Sequence, residues 1–364
     1  MSMLTNAGKF SDRAAWTVGS MELYTSSLWH KSTWNRPGIK SVLSIYFRSP
    51  KRALFLTILI SALLLLAIHV WGSLLHVHQF VYKCHEEYGY PLNDTVVNPH
   101  PYKYITNASS TCADIPEVYV ITLVKSAAGN FKQRHFIRQT WGIDARKKRL
   151  KLLFLLGYDV DNQFMVEYEN RVHGDIVQQD FHENYYNNTV KVTSALNWVT
   201  TFCKHAKFIQ IVDDDMYINF QNVLGFLEDK KQSDRFNLYA GYLIREPIPD
   251  RVIESKWYIS PSNYSFDCFP PYIAGGYVLM NSRTVREFQK IIPYIPPLPF
   301  DDVYFGIVSQ KLDIFPSNIN TLDVSRSLTA REKVKCLIAI HDFKTLQDFM
   351  YAYNVTHNRF IEVR

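Results

Sequence analysis

Residues 207–219 read KFIQIVDDDMYIN, an apolar run from Phe208 to Val212, broken only at Gln210, that ends on Asp213, Asp214 and Asp215. A short apolar run bounded by polar residues predicts a buried strand. Three adjacent carboxylates at its end repel one another unless they share a cation. Hard divalent ions take oxygen ligands and bridge carboxylates to phosphates. In open α/β sheets, ligands sit beyond the carboxyl ends of the strands, where this cluster falls. Taken alone, the triplet reads equally well as a solvated acidic turn; the strand before it and the features around it favour a ligand site.

Working outward, apolar runs at 117–124, 151–157, 237–243 and 272–280 predict further strands. Segments 133–141, 189–205, 222–232, 282–292 and 302–312 carry helical periodicity. Strands alternating with helices predict an α/β domain with a largely parallel sheet. A second acidic pair, Asp301-Asp302, opens the last of these helices, where one acid alone would serve as a cap. Between the two clusters, residues 255–280 are rich in aromatics, including Trp257 and Tyr272, and contain Gly275-Gly276. Aromatic rings suit the apolar faces of sugars, although most such residues are ordinary core. The glycines allow close backbone approach or form a bulge.

Of 364 residues 47% are apolar, enough for a sizeable core, and the net charge of +6 is carried entirely by residues 1–52. The remainder is neutral, which argues against a nucleic-acid binder. Residues 53–71 contain no Asp, Glu, Lys or Arg, about the ~20 residues needed to span a bilayer. Arg48, Lys51 and Arg52 abut the start of this run and only Lys83 follows closely, so the positive-inside rule predicts a cytosolic N-terminus and a lumenal C-terminus. Sequons at Asn93, Asn107, Asn187, Asn263 and Asn354 all follow the span. So do all five cysteines, on the side where disulfides persist. An odd count leaves at least one free or paired between chains, and Cys203, at helical spacing from Val199 and Leu196, reads equally as a buried free thiol. The expected division is a tail at 1–52, a signal-anchor at 53–71, a Pro-containing stem at 72–116 and a catalytic domain at 117–364.

The order of VKSAAGNFKQRHFIRQTWG (124–142), FLLG, HGDIVQQDF, VDDDMYIN, SKWYIS, PPYIAGGYVLM, FDDVYFGIV and the late His341 in IAIHDF resembles the family 31 β1,3-glycosyltransferases over about 117–350. Within it, LLHVHQF, YPLND, SKWY and YSFD are similar to the brainiac-type β1,3-N-acetylglucosaminyltransferases. The resemblance implies a GT-A fold, Rossmann-like with helices flanking the sheet, and inverting transfer from a UDP-sugar. It implies Mn²⁺ held by Asp215 and His341, with Asp302 as catalytic base. Lys125, Arg134, Arg138, Asp213 and Asp214 match the nucleotide-binding positions, and Asp301, with Trp257, Tyr272, Gly275 and Gly276, falls to the acceptor. The implied donor is UDP-GlcNAc. Gly276-Tyr277 keeps galactose or GalNAc open, since galactosyltransferases of the family tend to carry Gly-Tyr there. The implied acceptor is a glycolipid or glycoprotein glycan and the implied place is the Golgi membrane, as a single-pass type II protein. A non-catalytic, membrane-anchored glycan-binding protein is the alternative from another class, but such proteins lose the metal-binding acids that this chain retains. The oligomeric state is open.

Overall fold

The computed structural model describes residues 50–86, 89–113, 115–147, 149–229, 237–324 and 331–358. The expected tail therefore lies, up to residue 49, outside the described residues. The chain forms two compact units, Met1–Ser73 and Leu74–Arg364. Helix α1 (Pro50–Glu86) contains the whole of 53–71 and continues through what the sequence suggested was the start of a stem. Its described apolar side chains face solvent, with Leu65 67% and Trp71 68% exposed. Among the described residues no helix is long and apolar enough to cross a membrane.

The second unit begins with β1 (Tyr104–Thr106), β2 (Val118–Lys125), α2 (Phe131–Gln139), α3 (Trp141–Asp144), β3 (Leu150–Tyr158), α4 (Gln163–His173) and β4 (Ile176–His182). It continues with α5 (Asn188–Phe202), β5 (Ala206–Asp213), β6 (Tyr217–Ile218), α6 (Phe220–Asp229), β7 (Tyr239–Ile244), β8 (Tyr272–Asn281), α7 (Ser282–Ile291) and α8 (Asp301–Lys311). Last come β9 (Ser317–Asn318), β10 (Leu322–Asp323), α9 (Arg331–Cys336), β11 (Ala339–Ile340) and α10 (Leu346–Thr356).

Eight strands form one sheet in the order β1-β4-β3-β2-β5-β8-β7-β9. It is parallel through β4, β3, β2 and β5, then turns antiparallel at β8 and β7. Residues on a strand alternate between faces, and both faces of this sheet are covered. Ile121, Leu123, Ile209 and Ile211 share one core with α5, α7 and α8; Val120, Val124, Leu152 and Phe154 share the other with α2, α6 and α10. Strands buried on both faces read as continuous apolar runs, which is why these were visible in the sequence. A smaller sheet, β10-β11-β6, joins the C-terminal segment to the turn after the acidic triplet.

One expectation is corrected. The domain does not begin at Glu117: Tyr90 is buried and stacks on Tyr264, β1 pairs with β4, and the backbone N–H of Asn93 and of Asn98 bond Tyr294 and Pro293. Residues 90–112 are thus part of the fold rather than a free stem. Cys203, open in the sequence between a disulfide and a buried free thiol, is disulfide-bonded to Cys112 across a sequence separation of 91. Cys268 is also disulfide-bonded, and Cys336 is free and exposed.

Candidate active site

The parallel register of β2 and β5 sets Lys125 directly beside Asp213 at the carboxyl ends of both strands. The N-terminus of α8 brings Asp301 to the same ammonium. Lys125 Nζ lies 2.9 Å from Asp213 Oδ1 and 2.7 Å from Asp301 Oδ2, with the lysine side chain only 5% exposed. Burial alone would depress the ammonium, but the two carboxylates outweigh it and hold Lys125 well above its ordinary value. Lys125 therefore offsets part of the charge of Asp213 and Asp301, two of the acids that bound the cavity.

Neither acid of the second pair caps α8. The helix begins at Asp301 and its N-cap is Phe300, so both carboxylates stand inside the first turn, where the helix dipole favours them. Asp302 takes hydrogen bonds from the N–H of Val303, at 2.8 Å, and of Gly275. Among the described residues no lysine or arginine pairs with it directly. Burial first, then repulsion from Asp301, push its carboxyl well above the usual carboxylate range. Asp213 is pushed up to about 6, by burial and by Asp301 and Asp215, against the pull of Lys125. Its side chain is still 37% open to the cavity, although it is ringed by protein atoms.

Asp215 and His341 lie far apart in sequence, and the small sheet joins them. Pairing of Tyr217 with Ile340 sets the following residue, His341, beside the triplet, and the Phe343 N–H bonds the Asp215 carbonyl at 2.9 Å. His341 Nε2 then stands 3.3 Å from Asp215 Oδ2. The hydrogen bond to Asp215 raises the imidazole's pKa, and burial opposes it. Asp215 Oδ1 is buried without a hydrogen-bond partner. An orphaned carboxylate oxygen beside an imidazole is a donor set that suits a divalent cation, with the remaining positions left to phosphate oxygens and water. A Cβ on Gly276 would stand 3.4 Å from Met216 Sδ, 3.8 Å from His341 Cδ2 and 3.9 Å from Asp213 Oδ2, ordinary contact distances, so Gly276 lies against this cradle. The other compact group of ligand-type residues, Cys112, Cys203 and His205, has both sulfurs in a disulfide.

One cavity of about 290 Å³ is lined by Lys125, Asp213, Trp257, Gly275, Gly276, Asp301, Asp302 and His341. The sequence singled out all of these. Tyr185 and Asn188 line it too, without a sign in the sequence, as does Lys256, which stands in the SKWYIS motif with no role implied for it there. Four expected site residues lie elsewhere. Arg134 is fully buried, and its five N–H groups are engaged by Glu169, the Ser126 hydroxyl and the carbonyls of Ala127 and Ala128. Arg138 is held by Glu169 and Asp175 and stacks on Phe154. Asp214 accepts from Ser126 Oγ at 2.6 Å and Asn130 Nδ2 at 2.9 Å. Burial raises the Asp214 carboxyl. Arg134 thus shapes the 126–130 loop that orients Asp214, and Arg138 shares its partner Glu169. Tyr272 packs against Gly306, where a Cβ would meet its own at 2.6 Å. A larger cavity, about 720 Å³, lies by Tyr119 and Leu150 at the amino ends of β2 and β3, away from the acids.

The profile of the galactosyltransferase family matches residues 132–320, a span that contains the triplet, Gly275-Gly276 and both acids of α8. The Drosophila melanogaster β1,3-galactosyltransferase brn is 32% identical over 320 residues, which is 84% of this chain and 97% of that protein. This chain is a family 31 β1,3-glycosyltransferase. The mouse β1,3-galactosyltransferase 2 is 30% identical over 272 residues, covering 72% of this chain and 64% of that one. A solved galactosyltransferase, LgtC, bound to donor and acceptor sugar analogues, covers 64% of this chain and 95% of its own at 10% identity and a TM-score of 0.34, too distant to bear on the argument.

The sequons differ in setting. Asn263 is exposed. Asn187 and Asn354 adjoin or lie in helices, with Thr189 Oγ1 bonded to the Leu298 carbonyl and Thr356 Oγ1 to Tyr217 Oη. Asn93 and Asn107 are half-buried.

Proposed function

We propose that this glycosyltransferase moves GlcNAc from UDP-GlcNAc, with inversion and with Mn²⁺, onto a glycolipid or glycoprotein glycan. The observation that carries the reading is the two kinds of group that meet at one cavity. Asp302 lines it as a carboxylate without a cation partner and with a raised affinity for protons. His341, 3.3 Å from Asp215, lines it too. A single base suffices for a direct displacement: Asp302 takes the proton of the acceptor hydroxyl as that oxygen attacks the anomeric carbon from the face opposite UDP. Lys125 engages Asp301 and Asp213 and leaves Asp302 unpaired, so Asp302 is the acid best placed to accept that proton. Asp215 and His341 would hold Mn²⁺. When bound, the ion supplies positive charge to the diphosphate as it leaves. The fold then serves as a GT-A scaffold.

Galactose is the second reading for the donor. It is favoured by the names of the relatives and by Tyr277 after Gly276. The uncharged run 53–71, with its basic N-terminal flank and the sequons after it, supports a type II anchor in the Golgi membrane, with the enzyme in the lumen. Turnover of UDP-GlcNAc, UDP-Gal and UDP-GalNAc by the full chain in detergent, with Mn²⁺ or with chelator, tests both donor and metal. UDP-GlcNAc should be consumed fastest and chelator should abolish consumption. Equal rates in chelator would remove the metal from the account, and preference for UDP-Gal would replace the donor.

A further inference from the structure

The mouth of the cavity carries two large rings left half in water. Tyr185, on the turn between β4 and α5, is 47% exposed, and Trp257, on the loop between β7 and β8, is 50% exposed. Both line the cavity that contains Asp301 and Asp302. Aromatic side chains ordinarily bury about 150–250 Å² each, so a fixed pair in solvent beside a reactive carboxylate calls for an occupant. These rings are fixed. The Tyr185 hydroxyl takes a hydrogen bond from Trp257. Lys256 Nζ stands 4.6 Å from the Trp257 ring and 5.7 Å from the Tyr185 ring, a cation bridging both π-faces. Among the described residues no carboxylate pairs with Lys256.

The turn beneath Tyr185 is anchored as well. Asn184 accepts from the Tyr186 N–H at 2.8 Å, and Asn187 Nδ2 donates to the His182 carbonyl at 2.9 Å. The buried Lys191 links Glu183, at 2.6 Å, to the Ser126 carbonyl, at 2.8 Å, next to the Lys125 triad. The turn is thereby tied to the end of β2 that carries Lys125.

We propose that Tyr185, Lys256 and Trp257 form the acceptor subsite, a rigid platform for a neutral pyranoside. The sugar rests its apolar C–H face on the two rings, Lys256 donates hydrogen bonds to its hydroxyls, and the hydroxyl to be glycosylated is turned toward Asp302. The assignment rests on Asp302 as the base. Neutrality of the acceptor follows from charge. Asp213, Asp301 and Asp302 bound the same cavity against two lysines, Lys125, already engaged by two of them, and Lys256 at the rings, so a carboxylated sugar turned toward Asp302 meets an excess of negative charge. Preorganised rings also lower the ordering cost of binding.

The test is saturation-transfer NMR titration of the full chain in detergent, with UDP and Mn²⁺ present. The probes are methyl β-mannopyranoside, methyl β-galactopyranoside and, as the acidic control, methyl β-glucuronide. Wild type should bind a neutral probe more tightly than the glucuronide. Tyr185→Ala and Trp257→Ala should weaken it about tenfold or more, and Tyr185→Phe, which keeps the ring, should restore most of the affinity. Because Tyr185 is half exposed, the variant should melt like wild type; concurrent loss of UDP binding would mean a collapsed site and would overturn the platform. So would wild-type affinity in Tyr185→Ala, a preference for the glucuronide, or no binding of any neutral probe. If the transfer reading is what fails, neutral probes still bind on the rings while no UDP-sugar is consumed.

Discussion

At the scale of the residue, the account turns on which carboxylate is left to accept a proton. Lys125 engages Asp213 and Asp301 and leaves Asp302 without a cation partner. Asp302→Asn keeps the shape and loses the base, so turnover should fall by about 10²–10⁴-fold while UDP affinity, measured by calorimetry, stays near wild type. An active Asp302→Asn enzyme would put the base elsewhere. Asp213 makes a separate prediction about pH. Its folded value of about 6 lies above the ordinary 3.8 because burial disfavours the charged form. A carboxyl that holds its proton more tightly when folded contributes stability that is fully present below the ordinary value. That contribution is lost as pH rises through the folded one. Metal-free wild type should therefore lose urea stability between about pH 4 and pH 6 relative to Asp213→Asn; a gain over the same interval would contradict the assignment.

At the scale of the element, the site is where strand ends, a helix start and a short staple, the β10-β11-β6 sheet, meet. The sequence made the strand ends legible because β2, β3 and β5 are buried on both faces and read as apolar runs. It hid β4, IVQQDFH, because the buried Gln178 and Gln179 interrupt the pattern; Gln178 bonds the Gly157 carbonyl. It hid the staple because two-residue strands such as β6 and β11 carry no periodicity. It also hid the role of Arg134 and Arg138: an arginine aimed at a phosphate and one buried against Glu169 look alike until the partner is seen. The capping box of Thr345 and Asp348 ahead of α10 was visible in principle, since a threonine followed three residues later by an acid is its signature. The staple predicts a graded response. Asp215→Ala should abolish the Mn²⁺ dependence of UDP binding, since it removes the orphaned oxygen, whereas His341→Ala should weaken it less. A titration in which His341→Ala is the more damaging change would reverse the proposed ligand hierarchy.

At the scale of the whole molecule, the catalytic unit starts earlier than its apolar pattern suggests. Segment 90–112 supplies an edge strand, the buried Tyr90 and one half of the Cys112–Cys203 disulfide. Loss of such a bridge costs about 2–5 kcal/mol, a large part of the ~5–15 kcal/mol that holds a domain together. A fragment spanning Leu74–Arg364 should therefore melt cooperatively, and one starting at residue 117 should be destabilised or aggregate. Equal melting of the two would return the segment to the stem. The central claim, direct displacement by one base in a UDP-sugar transferase, has a direct readout in the bond it makes. The wild-type chain is incubated with UDP-GlcNAc, Mn²⁺ and a neutral glycoside acceptor, and the anomeric configuration and attachment carbon of the product are read by NMR. The account predicts a single β-linked product attached at the 3-hydroxyl, whereas an α-linked product, or none from any UDP-hexose despite bound UDP, would contradict it.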